Sequence, residues 1–151
     1  MIVTALSEVF RVMLVEDDPG DAGLVRAALA SGRFICDVTH LVDGVEAMAA
    51  LIAARDGVGA ARLPDLILLD LNMPRKSGHE VLAEMKLDSV LKDVPVVVLT
   101  TSDTERDVAT AYHSGASGYV TKPVDVDALF ESIRGIQEYW FGISRLPINR
   151  G

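Results

Sequence analysis

Three short stretches of the chain are apolar at every position: Val12-Met13-Leu14-Val15, Leu66-Ile67-Leu68-Leu69 and Val96-Val97-Val98-Leu99. Runs without alternation predict strands covered on both faces, the habit of a parallel sheet. Residues 34–39 and the pair Tyr119-Val120 are weaker strand candidates. Between them lie segments of helical length and pattern, at residues 19–31, 43–54, 78–88, 104–114 and 125–141. Strands alternating with helices make βα units. The expected fold is therefore α/β, a doubly wound five-stranded parallel sheet with helices on both faces.

The punctuation agrees. Pro19 stands where a helix can begin, and Asp43-Gly44 signals a turn before the second helix. Thr104-x-x-Asp107 resembles a capping box with Asp in place of Glu or Gln, opening a segment that ends at Gly115. Residues 55–63 read as a loop before the third strand. There are no repeats, low-complexity tracts or interdomain linkers. The expected organisation is an N-terminal extension over 1–10, one domain over 11–141 and a C-terminal tail over 142–151.

Composition narrows the partners. With 151 residues, 50% hydrophobic and 24% charged, the chain suits one ordinary globular core. A formal charge of −8 argues against nucleic acid or an anionic membrane as partner, and fits cations or basic protein surfaces. Cys36 is the only cysteine, so no intrachain disulfide or cysteine-based zinc site can form. The first ten residues lack the pattern of a signal peptide, and no apolar run is long enough to cross a bilayer, so the cytoplasm is the expected compartment.

Ligands of open parallel sheets bind beyond the carboxyl ends of the strands. The first strand ends in Glu16-Asp17-Asp18, the third in Asp70 and the fourth in Thr100-Thr101-Ser102, while Thr121-Lys122-Pro123 follows the fifth. Taken singly, each has an ordinary reading: turn and capping acids, a hydroxyl after a strand, a lone lysine. Together, on one edge, they make a crevice of acids, a hydroxyl and an ammonium. Clustered carboxylates repel and recruit a cation, and their hard oxygens suit Mg²⁺. Glu16, Asp17 and Asp70 contribute −3, against +3 from Mg²⁺ and Lys122, so the loaded site would be neutral and ready for a phosphoryl group. His40, His79 and His113 lie on different segments and show no metal-ligand spacing.

Val15-Glu16-Asp17-Asp18, Asp70-Leu71-Asn72-Met73-Pro74 with Gly78, Leu99-Thr100, and the run from Gly115 to Pro123 resemble the receiver domain of two-component response regulators. The likeness extends from about Arg11 to Ile136 and implies the flavodoxin-like fold of that family. It implies that Asp70 accepts a phosphoryl group from a phosphohistidine on a sensor histidine kinase. Asp17, Asp70 and the backbone carbonyl of Asn72 would ligate Mg²⁺, with Glu16 holding the ion or one of its waters. Thr100 and Lys122 would contact phosphoryl oxygens, Tyr119 would be an aromatic switch, and Pro123 would follow a cis peptide bond that aims Lys122 into the site. Such a domain is a phosphoacceptor with slow self-dephosphorylation rather than an enzyme. The alternatives are a relay that passes the phosphate to a histidine phosphotransfer protein and, less favoured, an aspartyl-phosphate phosphohydrolase. Those hydrolases commonly carry an acid where this chain has Asn72.

About ten residues follow the last helix, too few for a DNA-binding module, so the expected output is protein binding, self-association or onward transfer. Val126, Leu129, Ile133, Ile136, Trp140 and Ile143 form a helical stripe, with Phe130, Tyr139 and Phe141 off it. A second apolar face points to an interface, the alternative being that these side chains cover the bottom of the sheet. The loop over 55–63, Tyr139-Trp140 and Leu146-Pro147 resemble, more loosely, the single-domain response regulators associated with phytochrome kinases. That likeness implies a phytochrome-type kinase as partner and a homodimer through the C-terminal face, using Phe130, Tyr139, Trp140 and Phe141.

Overall fold

The computed structural model describes residues 8–143. In order along the chain lie β1 (Val9–Val15), α1 (Pro19–Ser31), β2 (Ile35–Leu41), α2 (Gly44–Arg55), β3 (Leu66–Leu69), α3 (Gly78–Lys86), β4 (Val96–Thr100), α4 (Glu105–His113), β5 (Gly118–Thr121) and α5 (Val126–Gln137). A 3₁₀ turn, Leu91–Asp93, precedes β4, and a π-helical segment, Glu138–Ile143, extends α5. The five strands are parallel in the order β2-β1-β3-β4-β5. β1 begins at Val9 rather than Val12, because Val9, Phe10 and Arg11 pair with Ile35, Cys36 and Asp37 of β2.

Period-two geometry sorts the apolar runs into two layers. Met13, Val15, Ile67, Leu69, Val96 and Val98 pack with Ala47, Met48, Leu51, Val81, Leu82 and Ala111 from α2, α3 and α4. Val12, Leu14, Leu66, Leu68, Val97 and Leu99 pack on the other face with Ala22, Val25, Leu29, Leu129, Ile133 and Ile136 from α1 and α5. β3 and β4 are buried at every position, which is why they show no alternation.

Each helix has a side-chain N-cap: Asp18, Asp43, Ser77, Thr104 and Asp125. The reciprocal capping box belongs to Ser77 and Glu80. Thr104 does accept from the Asp107 N–H, but the Asp107 carboxylate goes to Ser102 and His79.

Around the C-terminal segment the interface expectation meets packed side chains. Phe141 stacks on Phe10 with ring centroids 4.2 Å apart and meets Phe34 edge-on at 5.8 Å. Phe130 and Trp140 are half-buried against the α1/α5 layer, and Tyr139 is the one of the four that is exposed, at 53%. The π winding closes i→i+5 bonds and so changes the angular step per residue, carrying Phe141 to the core side of a helix whose α-helical stripe excludes it. Arg33 adds to this corner, pairing with Glu138 and lying over the Phe34 ring.

Candidate functional site

The sheet order reverses beside β1, between β2 on one side and β3 on the other, and the chain ends of β1, β3, β4 and β5 open onto that crevice. Backbone bonds set the register there. The Asp70 N–H donates to the Val15 carbonyl at 3.1 Å, the Glu16 N–H to Leu41 at 3.0 Å, and the Lys122 N–H to Thr100 at 2.7 Å. The apolar run of β3 thus delivers Asp70 rigidly to the mouth, where it is 8% exposed.

Glu16, Asp17 and Asp70 each place a carboxylate oxygen within 4.8 Å of the others. Lys122, almost wholly buried, aims its ammonium among them. It pairs with Glu16, with Asp21 at 3.0 Å and with Asp70 at 3.4 Å. Burial pushes the Glu16 carboxyl up to about 7, against the favourable Lys122 contact and the Asp18 N–H at 3.1 Å. Burial also works against the Lys122 ammonium. Its hydrogen bond to Glu16 and the charges of Asp70 and Glu16 outweigh that, holding it above the ordinary amine range.

Asp18 departs from the cluster: it caps α1, accepting from Gly20 and Asp21 N–H. Asn72 lies beside the acceptor, its N–H facing Asp70 Oδ1 at 3.4 Å. Thr100 is fully buried, and its hydroxyl has no hydrogen-bond partner among the described residues. Tyr119 is half-buried, its hydroxyl donating to the Ser102 carbonyl at 2.8 Å.

Two expectations need correction. Among the described residues there is no cis peptide bond, so Pro123 follows a trans one. The aim of Lys122 comes instead from its own N–H on Thr100 and from the three carboxylates that attract its ammonium. The charge balance changes as well. Asp21, in the first turn of α1, is a fourth carboxylate that the sequence reading missed, so a site loaded with a divalent cation keeps a negative excess unless Glu16 holds a proton. An acid in a first helical turn is ordinary for dipole reasons, so nothing local marks it.

Arg75 and Lys76, on the loop after Asp70, are not free. Arg75 sits at φ 68° and pairs with Asp43 at 3.2 Å, while Lys76 pairs with Glu84. His40, His79 and His113 remain apart, and Glu16, Asp17 and Asp70 are the one set with metal-ligand spacing among the described residues. No described helix is long and apolar enough to cross a membrane.

The chemistry of the donor set suits a hard divalent cation: three carboxylates converge at one point, with a buried ammonium beside them. Comparison with known proteins shows the family to which the chain belongs. The model of the response regulator receiver domain matches residues 12–134. Response regulator Rcp1 of Synechocystis sp. is 42% identical over 90% of this chain and 92% of its own length. The solved structure of the phosphorylated cyanobacterial phytochrome response regulator RcpA is 44% identical with a TM-score of 0.86, covering 93% of this chain and 99% of that one. A structure of the Mn²⁺-bound form of Rcp1 gives a TM-score of 0.83 at 41% identity, covering 91% and 99%. With the strand order, the carboxylate cluster and nearly full-length similarity in agreement, the chain belongs to the response regulator receiver domain family.

Proposed function

We propose that the protein is a phosphoacceptor signalling domain in which Asp70 takes a phosphoryl group from a phosphohistidine of a sensor histidine kinase. The observation that carries this is the convergence of Asp70, Asp17, Glu16 and Lys122 on one edge, with the buried Thr100 hydroxyl unpartnered beside them. An Asp70 oxygen attacks phosphorus, the P–N bond to the imidazole breaks, and the imidazole leaves with a proton in place of the phosphoryl group. Glu16, Asp17, Asp70 and the Asn72 carbonyl would hold Mg²⁺, which when bound neutralises phosphoryl oxygens that the carboxylates would otherwise repel. Lys122 trades its contact with Asp70 for a phosphoryl oxygen, and Thr100 donates its hydroxyl to another. The acyl phosphate is intrinsically labile, so water ends the signal slowly on the same phosphorus and no catalytic turnover of a substrate is expected.

The kinase we favour is of phytochrome type, acting in the cytoplasm. Support comes from the 44% identity, over nearly all of both chains, to a phytochrome response regulator. Output is by protein binding, including a homodimer through the C-terminal face. There Tyr139 presents an exposed ring, edge-on to Trp140 at 5.1 Å.

Phosphotransfer from a purified phytochrome-type histidine kinase with Mg²⁺ tests the reading: wild type is labelled rapidly and Asp70→Asn is not. Equal labelling of both overturns the assignment of Asp70. Labelling by acetyl phosphate alone keeps the acceptor and removes the phytochrome partner. A chase of label onto a histidine phosphotransfer protein would make the protein a relay. A mass in light scattering that stays monomeric across concentration, with and without a phosphoryl mimic, removes the dimer.

A further inference from the structure

Four residues close a ring of contacts at the mouth of the crevice. The Lys122 ammonium donates to Glu16 and, at 3.0 Å, to Asp21. The Asp21 N–H donates to Asp18 Oδ1 at 3.2 Å, and the Asp18 N–H donates to Glu16 Oε2 at 3.1 Å. The first turn of α1 is thereby tied to the end of β1, which holds the Asp21 carboxylate beside the cluster. Asp21 differs in place from the other two acceptors of Lys122. Glu16 and Asp70 belong to the set with metal-ligand spacing, and Asp21 does not. Asp21 and Lys122 line a cavity of about 220 Å³ between α1 and the start of α5, which Glu16, Asp17 and Asp70 do not line. The ammonium also sits nearer to Asp21, at 3.0 Å, than to Asp70, at 3.4 Å.

We infer that Asp21 is a positioning residue that holds the Lys122 ammonium toward α1 and so leaves Asp70 and Glu16 freer for a divalent cation. The inference deepens the phosphoacceptor reading above and rests on it. An ammonium offers three N–H donors, and Lys122 has three carboxylates around it. Without Asp21, the remaining acceptors are Glu16 and Asp70, both members of the cation set. Cation and ammonium then compete for the same oxygens and repel each other at close range. With Asp21 in place, one of the three bonds lies outside the set, and its carboxylate offsets the charge of the ammonium. The Asp21 side chain is 38% exposed, against 7% for Lys122, so the contact counts as a partly solvated ion pair rather than a buried one.

The experiment is calorimetric titration of the full chain with MgCl₂ at pH 8, above the value of about 7 to which burial raises Glu16. Asp21→Asn keeps the size of the side chain and removes its charge, and it binds Mg²⁺ about fivefold more weakly than wild type. Lys122→Met removes the competing ammonium and binds more tightly than wild type. In that background Asp21→Asn costs less than about twofold, because a partly exposed carboxylate acts only weakly on the cation once no ammonium links the two. A residue that merely supports the fold shows no such coupling to Lys122. Chemical denaturation checks each fold. Asp21→Ser and Lys122→Ala replace any variant that does not fold, with the same expectations. Unchanged Mg²⁺ affinity in Asp21→Asn, an equal loss in both backgrounds, or a Lys122→Met chain no tighter than wild type overturns the inference and leaves the acceptor reading intact. Wild type that binds no Mg²⁺ overturns the cation site of that reading, and the role of Asp21 with it.

Discussion

Gly78 lies so close to Asp70 that a Cβ at position 78 would overlap the Asp70 carbonyl oxygen and stand 2.8 Å from Leu71 Cα. The Gly78 N–H donates to the Leu71 carbonyl at 2.9 Å, so α3 begins directly beneath the acceptor loop. Gly44 abuts the same loop at the Lys76 carbonyl. Gly78→Ala must therefore push Asp70 out of register. Expected is a loss of about 1–3 kcal/mol in stability, as for other overpacked sites, together with about tenfold weaker Mg²⁺ binding. Chemical denaturation and calorimetry read the two. Wild-type metal affinity in Gly78→Ala would show that the contact does not position the site.

Thr100 carries the opposite signature. Its hydroxyl is buried without a partner, a cost of about 1–3 kcal/mol in a resting fold. Thr100→Val keeps the shape and removes that cost, so its melting temperature should rise while beryllofluoride binding weakens. A variant that loses stability and function together would contradict a hydroxyl kept for a ligand.

Glu16 makes cation binding pH-dependent near neutrality. Burial raises its carboxyl to about 7, so in the metal-free fold it holds its proton below that pH and is ionised above it. The stability this group contributes is fully present below its ordinary value of 4.5 and is lost as pH rises through about 7. A cation binds the ionised form and displaces the proton. Mg²⁺ affinity is thus expected to climb between pH 6 and 8, with proton release visible as a dependence of heat on buffer ionisation. Glu16→Gln should flatten that profile, and an equally steep one in the variant would move the titration to another group.

Phe141 and Tyr139 separate folding from association. Phe141 stacks on Phe10 at 4.2 Å, so Phe141→Ala should cost about 2–4 kcal/mol in unfolding of the protomer. Tyr139, exposed two residues earlier, should leave protomer stability within about 0.5 kcal/mol when changed to Ala, and weaken the dimer in sedimentation. The reverse pattern would put Phe141 in the interface.

Legibility followed the range of the interactions. β3 and β4 could be read directly because a strand buried on both faces needs an unbroken apolar run. Asp17, Asp70 and Lys122 could be read because strand ends are where such sheets place ligands. Asp43 and Thr104 could be read as helix starts, since capping is a matter of three residues. Phe141 could not, because a change from α to π winding moves a side chain around the helix with no local mark.

By itself, then, the sequence determined which segments become strands and helices, that the sheet is parallel, and which acids, hydroxyl and ammonium stand at its edge. Those are consequences of local periodicity and of where strands stop. The tertiary structure alone decided that Asp21 shares Lys122 across 101 positions, that His79 reaches Asp107 across 28, and that Phe141 closes on Phe10. Each of these depends on how whole helices seat on the sheet, where small shifts in packing decide whether two side chains meet, and no pattern along the chain records that distance.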